Sequence, residues 1–332
     1  MNKKEAVIKA INHEYVSPVP YSLELTGDMH DLMKKYTGDD NFLENSGSYL
    51  VKISNKISTD LGGSFFRDMY GVVWDRRHDH DVGVVHEYLI PDPDFKGYRF
   101  PEPDEAAIRK KCEYLMMNDD KFTIYNLSFS LFERAWTLHG MENSLCDFLA
   151  APDFMEELLD RIVGYDLGVI DIVLEYDIDC VFFGDDWGQQ KGLIMGYPIW
   201  ERFLKPRLRK LYDRVKSKGL YVAHHSCGDC SELFPDLIEL GLDVYNTFQP
   251  EIYDIEFMKR KYGQAITFYG GISTQRLLPS ASPAELKREM HRIIDIMSEN
   301  GGYIIAPTHV MPADIPPENV MAFLDLCQNE NN

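Results

Sequence analysis

What the sequence lacks narrows its function first. In 332 residues no uncharged apolar run approaches the roughly 18 positions that a membrane-spanning helix requires, so a helical span is excluded. Positive charge is in short supply. The 34 Lys+Arg stand against 54 Asp+Glu, a net of −20, and that surplus repels phosphate backbones and anionic lipid headgroups. Nucleic acids and membrane surfaces are therefore set aside as partners. Cysteine is sparse: Cys112, Cys146, Cys180, Cys227, Cys230 and Cys327 are scattered too widely for the dense framework of a small secreted domain. The opening segment MNKKEAVIKAINHEYVSPVPY is amphipathic and lacks a continuous apolar stretch and cleavage site. No secretion signal is read there, and the expected compartment is the cytoplasm, with reduced thiols. Also missing are GxGxxG, GxxxxGKS/T and GxSxG, so nucleotide-binding and serine-hydrolase chemistry have no marker.

What is present is enough apolar material for a large core, 45% hydrophobic and 12% aromatic, arranged with a clear rhythm. Short β-rich runs at 121–129, 179–187, 219–227, 243–250, 265–272 and 302–309 alternate with helical periodicity at 152–176, 198–218, 231–240, 283–298 and 317–326. Ser282-Pro283 reads as a helix start, and Gly219, Gly241 and Gly301-Gly302 as stops. Repeated strand-then-helix units imply a parallel sheet. With 19–25 as an early strand there are seven strand candidates. The expected fold is α/β: a single (β/α)8 TIM barrel over residues 1–332, an open doubly wound sheet being the alternative. Residues 60–103 break the rhythm. Runs at 65–74 and 82–90 read as a β-hairpin around the charged turn 75–81, whose His78 and His80 read as solvated, followed by a Pro-rich passage. This is expected to be an insertion covering one end of the barrel.

A parallel barrel delivers the C-terminal residues of all its strands to one face, so the strand ends are where a site forms. They are Glu24, Asn126, Asp185, Asp186, His225, Cys227, Asn246, Gln249, Gly270, Gly271 and His309. In His225-Ser226-Cys227 an imidazole and a thiol two residues apart on extended chain face the same side, a spacing suited to two ligands of one metal ion. His309 supplies a third ligand, and an open fourth position would make the ion, zinc or a similar one, catalytic. Both residues also read as ordinary buried side chains. His224 is expected to point to the opposite side of the strand. Cys227 and Cys230 form a CxxC without thioredoxin-like surroundings. Asp185 and Asp186 are candidate proton-transfer or substrate-positioning groups, with helix capping as the plainer use of an Asp. Glu24 is a third candidate carboxylate, with capping or ion pairing as its alternative.

At these residues the chain resembles the uroporphyrinogen decarboxylase superfamily, and within it the cobalamin-dependent methyltransferases. The matching passages are FRDMYGVVWDRR, FFGDDWGQQKG, GLYVAHHSCGDC, NTFQP, FYGGISTQRLL and GGYIIAPTHVMPADIPPENV, which lie in order between Asp60 and Asn319. The resemblance implies a (β/α)8 barrel and zinc held by His225 and Cys227. Where the thiol-methylating relatives have a third cysteine ligand, this chain has His309. The Arg-rich N-terminal passage with which the true decarboxylases bind tetrapyrrole carboxylates is replaced by PVPYSLELTG, which has no arginine. The resemblance therefore points to the methyltransferases of anaerobes that move a methyl group from a small methylated compound, such as an aromatic methyl ether, to the cob(I)alamin of a corrinoid protein. Two alternatives remain: methylcobalamin:thiol transfer, and a decarboxylase-like barrel without catalysis. On the first reading Asp185, Asp186 and Glu24 are catalytic and His225, Cys227 and His309 hold zinc. Trp187, Gln189, Asn246, Gln249 and Tyr70 contact the substrate, and Phe65 and Trp74 join Tyr70 and Trp187 at the mouth. A monomer and a homodimer are both open.

Overall fold

The computed structural model describes residues 1–77 and 82–331. Its strands, in chain order, are β1 (Leu50–Ser54); β2 (Ser58–Gly62), β3 (Phe65–Asp68), β4 (Val73–Asp75) and β5 (Val84–Val85); then β6 (Phe122–Phe129), β7 (Cys180–Gly184), β8 (Tyr221–His225), β9 (Val244–Phe248), β10 (Thr267–Ile272) and β11 (Tyr303–Pro307). Seven of them form one curled parallel sheet in the order β1-β6-β7-β8-β9-β10-β11. Helices lie outside it. β7 and β11 are buried at every position, as expected of parallel strands covered on both faces.

The sheet curls far enough for residues 20–25 to bridge its two edges. Ser22 N donates to Ile305 O of β11 and Ile305 N to Pro20 O, while Tyr49 N, just before β1, donates to Tyr21 O. This TIM-like closure uses the segment expected as the first strand, but as isolated bridges at Tyr21 and Leu25 rather than a ladder. Pro18 and Pro20 have no N–H to offer, so the chain before Tyr21 cannot extend the ladder. The strand that completes the sheet, β1, has no counterpart among the expected strands.

Helix punctuation follows the sequence signals. The helix Pro283–Met297 begins at Ser282, whose side chain accepts from Glu285 N while the Glu285 carboxylate returns to Ser282 N. It buries Leu286, Met290, Ile293, Ile294 and Met297, one stripe at helical spacing. The helix Phe234–Leu240 stops at Gly241, whose φ of 90° suits glycine.

The N-terminal end of the barrel is plugged. Val7 and Ile11 of the helix Lys3–Ile11 pack with Leu50, Phe122, Ile124, Cys180, Phe182, Val244, Tyr269 and Ile304 into one apolar cluster inside the barrel. The opposite end carries the insertion, which differs from the expected hairpin. The run 65–74 is two strands, because Asp68, Gly71 and Val72 close a turn (Gly71 N to Asp68 O, 2.9 Å; Asp68 N to Val72 O, 2.9 Å) in which Gly71 has a φ of 89°. β2 to β5 make a four-stranded antiparallel sheet in sequence order. Residues 78–81 of the expected charged turn, His78 and His80 among them, lie outside the described residues.

Candidate functional site

The C-terminal ends of the strands surround a cavity of about 600 Å3. Its polar lining includes Ser22, Glu24, Lys52, Asn126, Glu133, Asp186, His225, Asn246 and His309, and its apolar walls are Trp74, Phe129, Trp136 and Phe182.

His225 ends β8, and its orientation is fixed. The Asn246 amide nitrogen donates to Tyr269 O (3.1 Å), which turns Asn246 Oδ1 toward His225 Nδ1 at 2.6 Å. Nδ1 therefore carries the proton and Nε2 presents its lone pair, the arrangement used to orient metal-binding imidazoles. Around Nε2 lie Cys227 Sγ at 3.4 Å and Asp186 Oδ1 at 3.6 Å. Asp186 also accepts from Cys227 N at 2.7 Å, which ties the two loops together. Among the described residues one set of three potential metal donors lies within 4.8 Å of one another, Asp186, His225 and Cys227. A tetrahedral zinc ion with nitrogen, oxygen and sulfur ligands spaces those atoms about 3.3–3.7 Å apart. The donor set, the spacing and the fixed tautomer all fit such an ion. Burial pushes the His225 imidazole below its ordinary pKa, with Asp186 and Asn246 opposing. Burial pushes the Cys227 thiol up, assisted by the Asp186 and Glu133 carboxyl groups.

The other expected residues divide by position. His309 lines the cavity, but its ring centroid is 6.2 Å from that of His225, outside the triad. Glu24 faces the cavity and pairs with Lys52 (2.7 Å) and Tyr269 OH (3.1 Å); burial would raise its pKa, but those partners outweigh it and hold the carboxyl below its ordinary value. Asn246 lines the cavity. Asp185 is turned away from it: fully buried, its carboxylate accepts from Phe132 N (3.1 Å), Glu133 N (2.7 Å) and Trp187 Nε1 (2.6 Å), capping the helix Leu131–His139. Burial raises its pKa to about 7 against those bonds. Trp187 is buried against His224 (ring centroids 4.2 Å), and His224, on the opposite side of β8 from His225, bonds Tyr212 OH at 2.7 Å and is pushed down to about 3 by burial. Tyr70 is buried under the insertion, Gln189 is exposed, and Gln249 accepts from Gly228 N at 2.9 Å, shaping the loop after Cys227. Phe65 stacks edge-on against His86 in the insertion sheet. Cys230 is a free, buried thiol beside Ser226.

Lys52 and Glu133 are among the cavity residues that went unread. Lys52 sits on β1, and a lone lysine inside the short apolar run LVKIS was the available signal. Glu133 lies four residues past Phe129, the last cavity-lining position of β6, in the first turn of the next helix. Burial and the Asp186 and Asp185 carboxylates raise its pKa well above the usual range.

Comparison with known proteins agrees with this architecture. The family model for uroporphyrinogen decarboxylase (URO-D) matches residues 81–330. A methyltransferase from Methanosarcina mazei has a similar structure with a TM-score of 0.74 over 99% of each chain, at 16% identity. A B12-independent methionine synthase from Shewanella sp. W3-18-1 aligns over 94% of this chain and 93% of its own, at 11% identity and a TM-score of 0.48. No curated protein matches the sequence.

Proposed function

We propose, from the premise that the chain belongs to the uroporphyrinogen decarboxylase family, that it is a metal-assisted methyltransferase. It would take a methyl group from a small methylated compound, an aromatic methyl ether fitting best, and pass it to the cob(I)alamin of a corrinoid protein. One observation carries the reading: His225 and Asp186 line a cavity of about 600 Å3 with aromatic walls, and Cys227 Sγ lies 3.4 Å from His225 Nε2. His225, Cys227 and Asp186 would hold zinc, with His309 next in line at the mouth. When bound there, zinc supplies Lewis acidity, which makes an ether oxygen a better leaving group.

The chain's own residues do the remaining work. Asn246 keeps the His225 lone pair pointed at the cluster. Trp74, Phe129, Trp136 and Phe182 give an aromatic donor surfaces to stack on and exclude water from the methyl group. Glu24 and Lys52, held together with Tyr269, present an acceptor and a donor to polar substituents of the substrate. The similarity of fold to a methyltransferase supports this reading, as does the absence of an arginine from PVPYSLELTG at Pro18–Gly27, where a tetrapyrrole's carboxylates would need guanidinium partners.

The test is an anaerobic spectroscopic assay with cob(I)alamin and a panel of methyl donors. Methylation of cobalt by an aryl methyl ether is the expected result. Demethylation of methylcobalamin by a thiol, with no reaction from any ether, would replace it with thiol methylation.

A further inference from the structure

One carboxylate links the turn of the insertion sheet both to the cavity wall and to the barrel. Asp68 Oδ1 accepts from Tyr70 N (2.9 Å) and Val72 N (3.1 Å), closing the turn between β3 and β4. Its Oδ2 accepts from two groups with different destinations: Trp74 Nε1 at 3.2 Å and Arg134 Nη1 at 2.7 Å. Trp74 is a wall of the cavity, its ring centroid 5.7 Å from that of Phe129, another wall residue. Arg134 is 3% exposed and belongs to the helix Leu131–His139, where it directly follows Glu133 and covers the Tyr70 ring at 4.2 Å. That helix is anchored to β7 by Asp185, and its far end holds the insertion's return path, Ile90 N donating to Leu138 O at 2.9 Å.

We propose that Asp68 is the positioning residue for the cavity mouth: by joining the Trp74 indole to the buried Arg134 guanidinium it sets how far Trp74 reaches over the opening, and so the size of molecule admitted. A buried, hydrogen-bonded ion pair has one favoured geometry, so it fixes a wall more sharply than apolar packing does. The proposal rests on the methyl-transfer reading only for which molecule enters; the selection by size does not depend on it.

The two acceptor atoms of Asp68 allow a selective break. In Asp68→Asn the amide oxygen can keep the Tyr70 and Val72 bonds, while the NH2 group faces two donors, Trp74 Nε1 and Arg134 Nη1. The turn is retained and the anchorage lost. Trp74→Leu shortens the wall and leaves the ion pair intact.

The readout is alkylation of Cys227, the partly exposed thiol 3.4 Å from the cavity-lining His225 ring, by two haloacetamides that differ only in bulk, followed by peptide mass analysis of the protein as purified. The ratio of bulky to small rates cancels the intrinsic reactivity of the sulfur. Both variants are expected to raise that ratio by about tenfold, as a widened opening does and a local loss of stability does not. An unchanged ratio in Trp74→Leu overturns the proposal whatever Asp68→Asn does. So does a folded Asp68→Asn protein in which both rates rise together or neither changes.

Discussion

At the N-terminal end of the barrel the polar groups are spent on the protein itself. Asp179 accepts from Thr123 N and Oγ1 at 2.9 Å and pairs with Lys4 at 2.8 Å, Asp243 accepts from Val222 N at 2.6 Å and pairs with Lys216, and the Lys3–Ile11 helix seals the opening. At the C-terminal end Asp186 and His225 face a cavity, and the His225 lone pair meets the Cys227 thiol at 3.4 Å. The strands are common to both ends, so the difference lies in what the loops contribute: a plug at one end, and carboxylates, imidazoles and a tryptophan-bearing sheet at the other. One end holds the barrel together and the other is free to do chemistry.

That contrast can be broken from either side. The largest effect is expected from Cys227→Ala, which should slow methyl transfer by about a thousandfold, some 4 kcal/mol of barrier, while the melting temperature moves only a few degrees. A large drop in melting temperature would mean that the open end is structural after all. The mirror experiment is Ile11→Ala in the plug, expected to cost about 2–4 kcal/mol in urea denaturation, as a truncated core side chain does, with the transfer rate of the folded fraction unchanged. A smaller effect is expected from Asn246→Ala, which leaves the His225 tautomer unset. Zinc affinity, measured by competition with a chelator, should fall by about 10- to 100-fold, with little change in stability.

A pH-dependent effect is expected at Asp166, buried beneath the open end on the helix Pro152–Val173. Burial, against the nearby Arg134 and with the Asp185 carboxylate, raises its pKa to about 8. An unfolded aspartate titrates near 3.9, so the folded state holds the extra proton between those values, and this group's contribution to stability declines as pH rises toward 8. Asp166→Asn should therefore stabilise the protein increasingly across that range, by at most about 1.4 kcal/mol per pH unit, as urea denaturation at a series of pH values would show. A gain that is flat or shrinks with pH would place the proton elsewhere.

Much of this architecture was legible from strand ends. The runs at 121–129, 179–187, 219–227, 243–250, 265–272 and 302–309 each contain a strand, and period-2 geometry correctly separated His224 from His225. Other features were hidden for physical reasons. β1 is five residues long and carries a lysine whose charge is cancelled by Glu24, 28 positions earlier, a pairing no local pattern reveals. Asp185 and Asp186 are adjacent and so point apart; only the structure shows that Asp185 went to a helix end and Asp186 to the cavity. Of the aromatics expected at the mouth, Trp187 and Tyr70 are core residues and Phe65 packs in the insertion sheet, while Trp74 lines the cavity together with the unexpected Trp136 and Phe129.

The most direct measurement is the zinc content of the purified, reconstituted protein and of Cys227→Ala. About one zinc ion per wild-type chain, largely lost in the variant, is expected if the open end is a metal site built on His225, Cys227 and Asp186. A wild-type protein that takes up no zinc, or a variant that holds as much as the wild type, would contradict it.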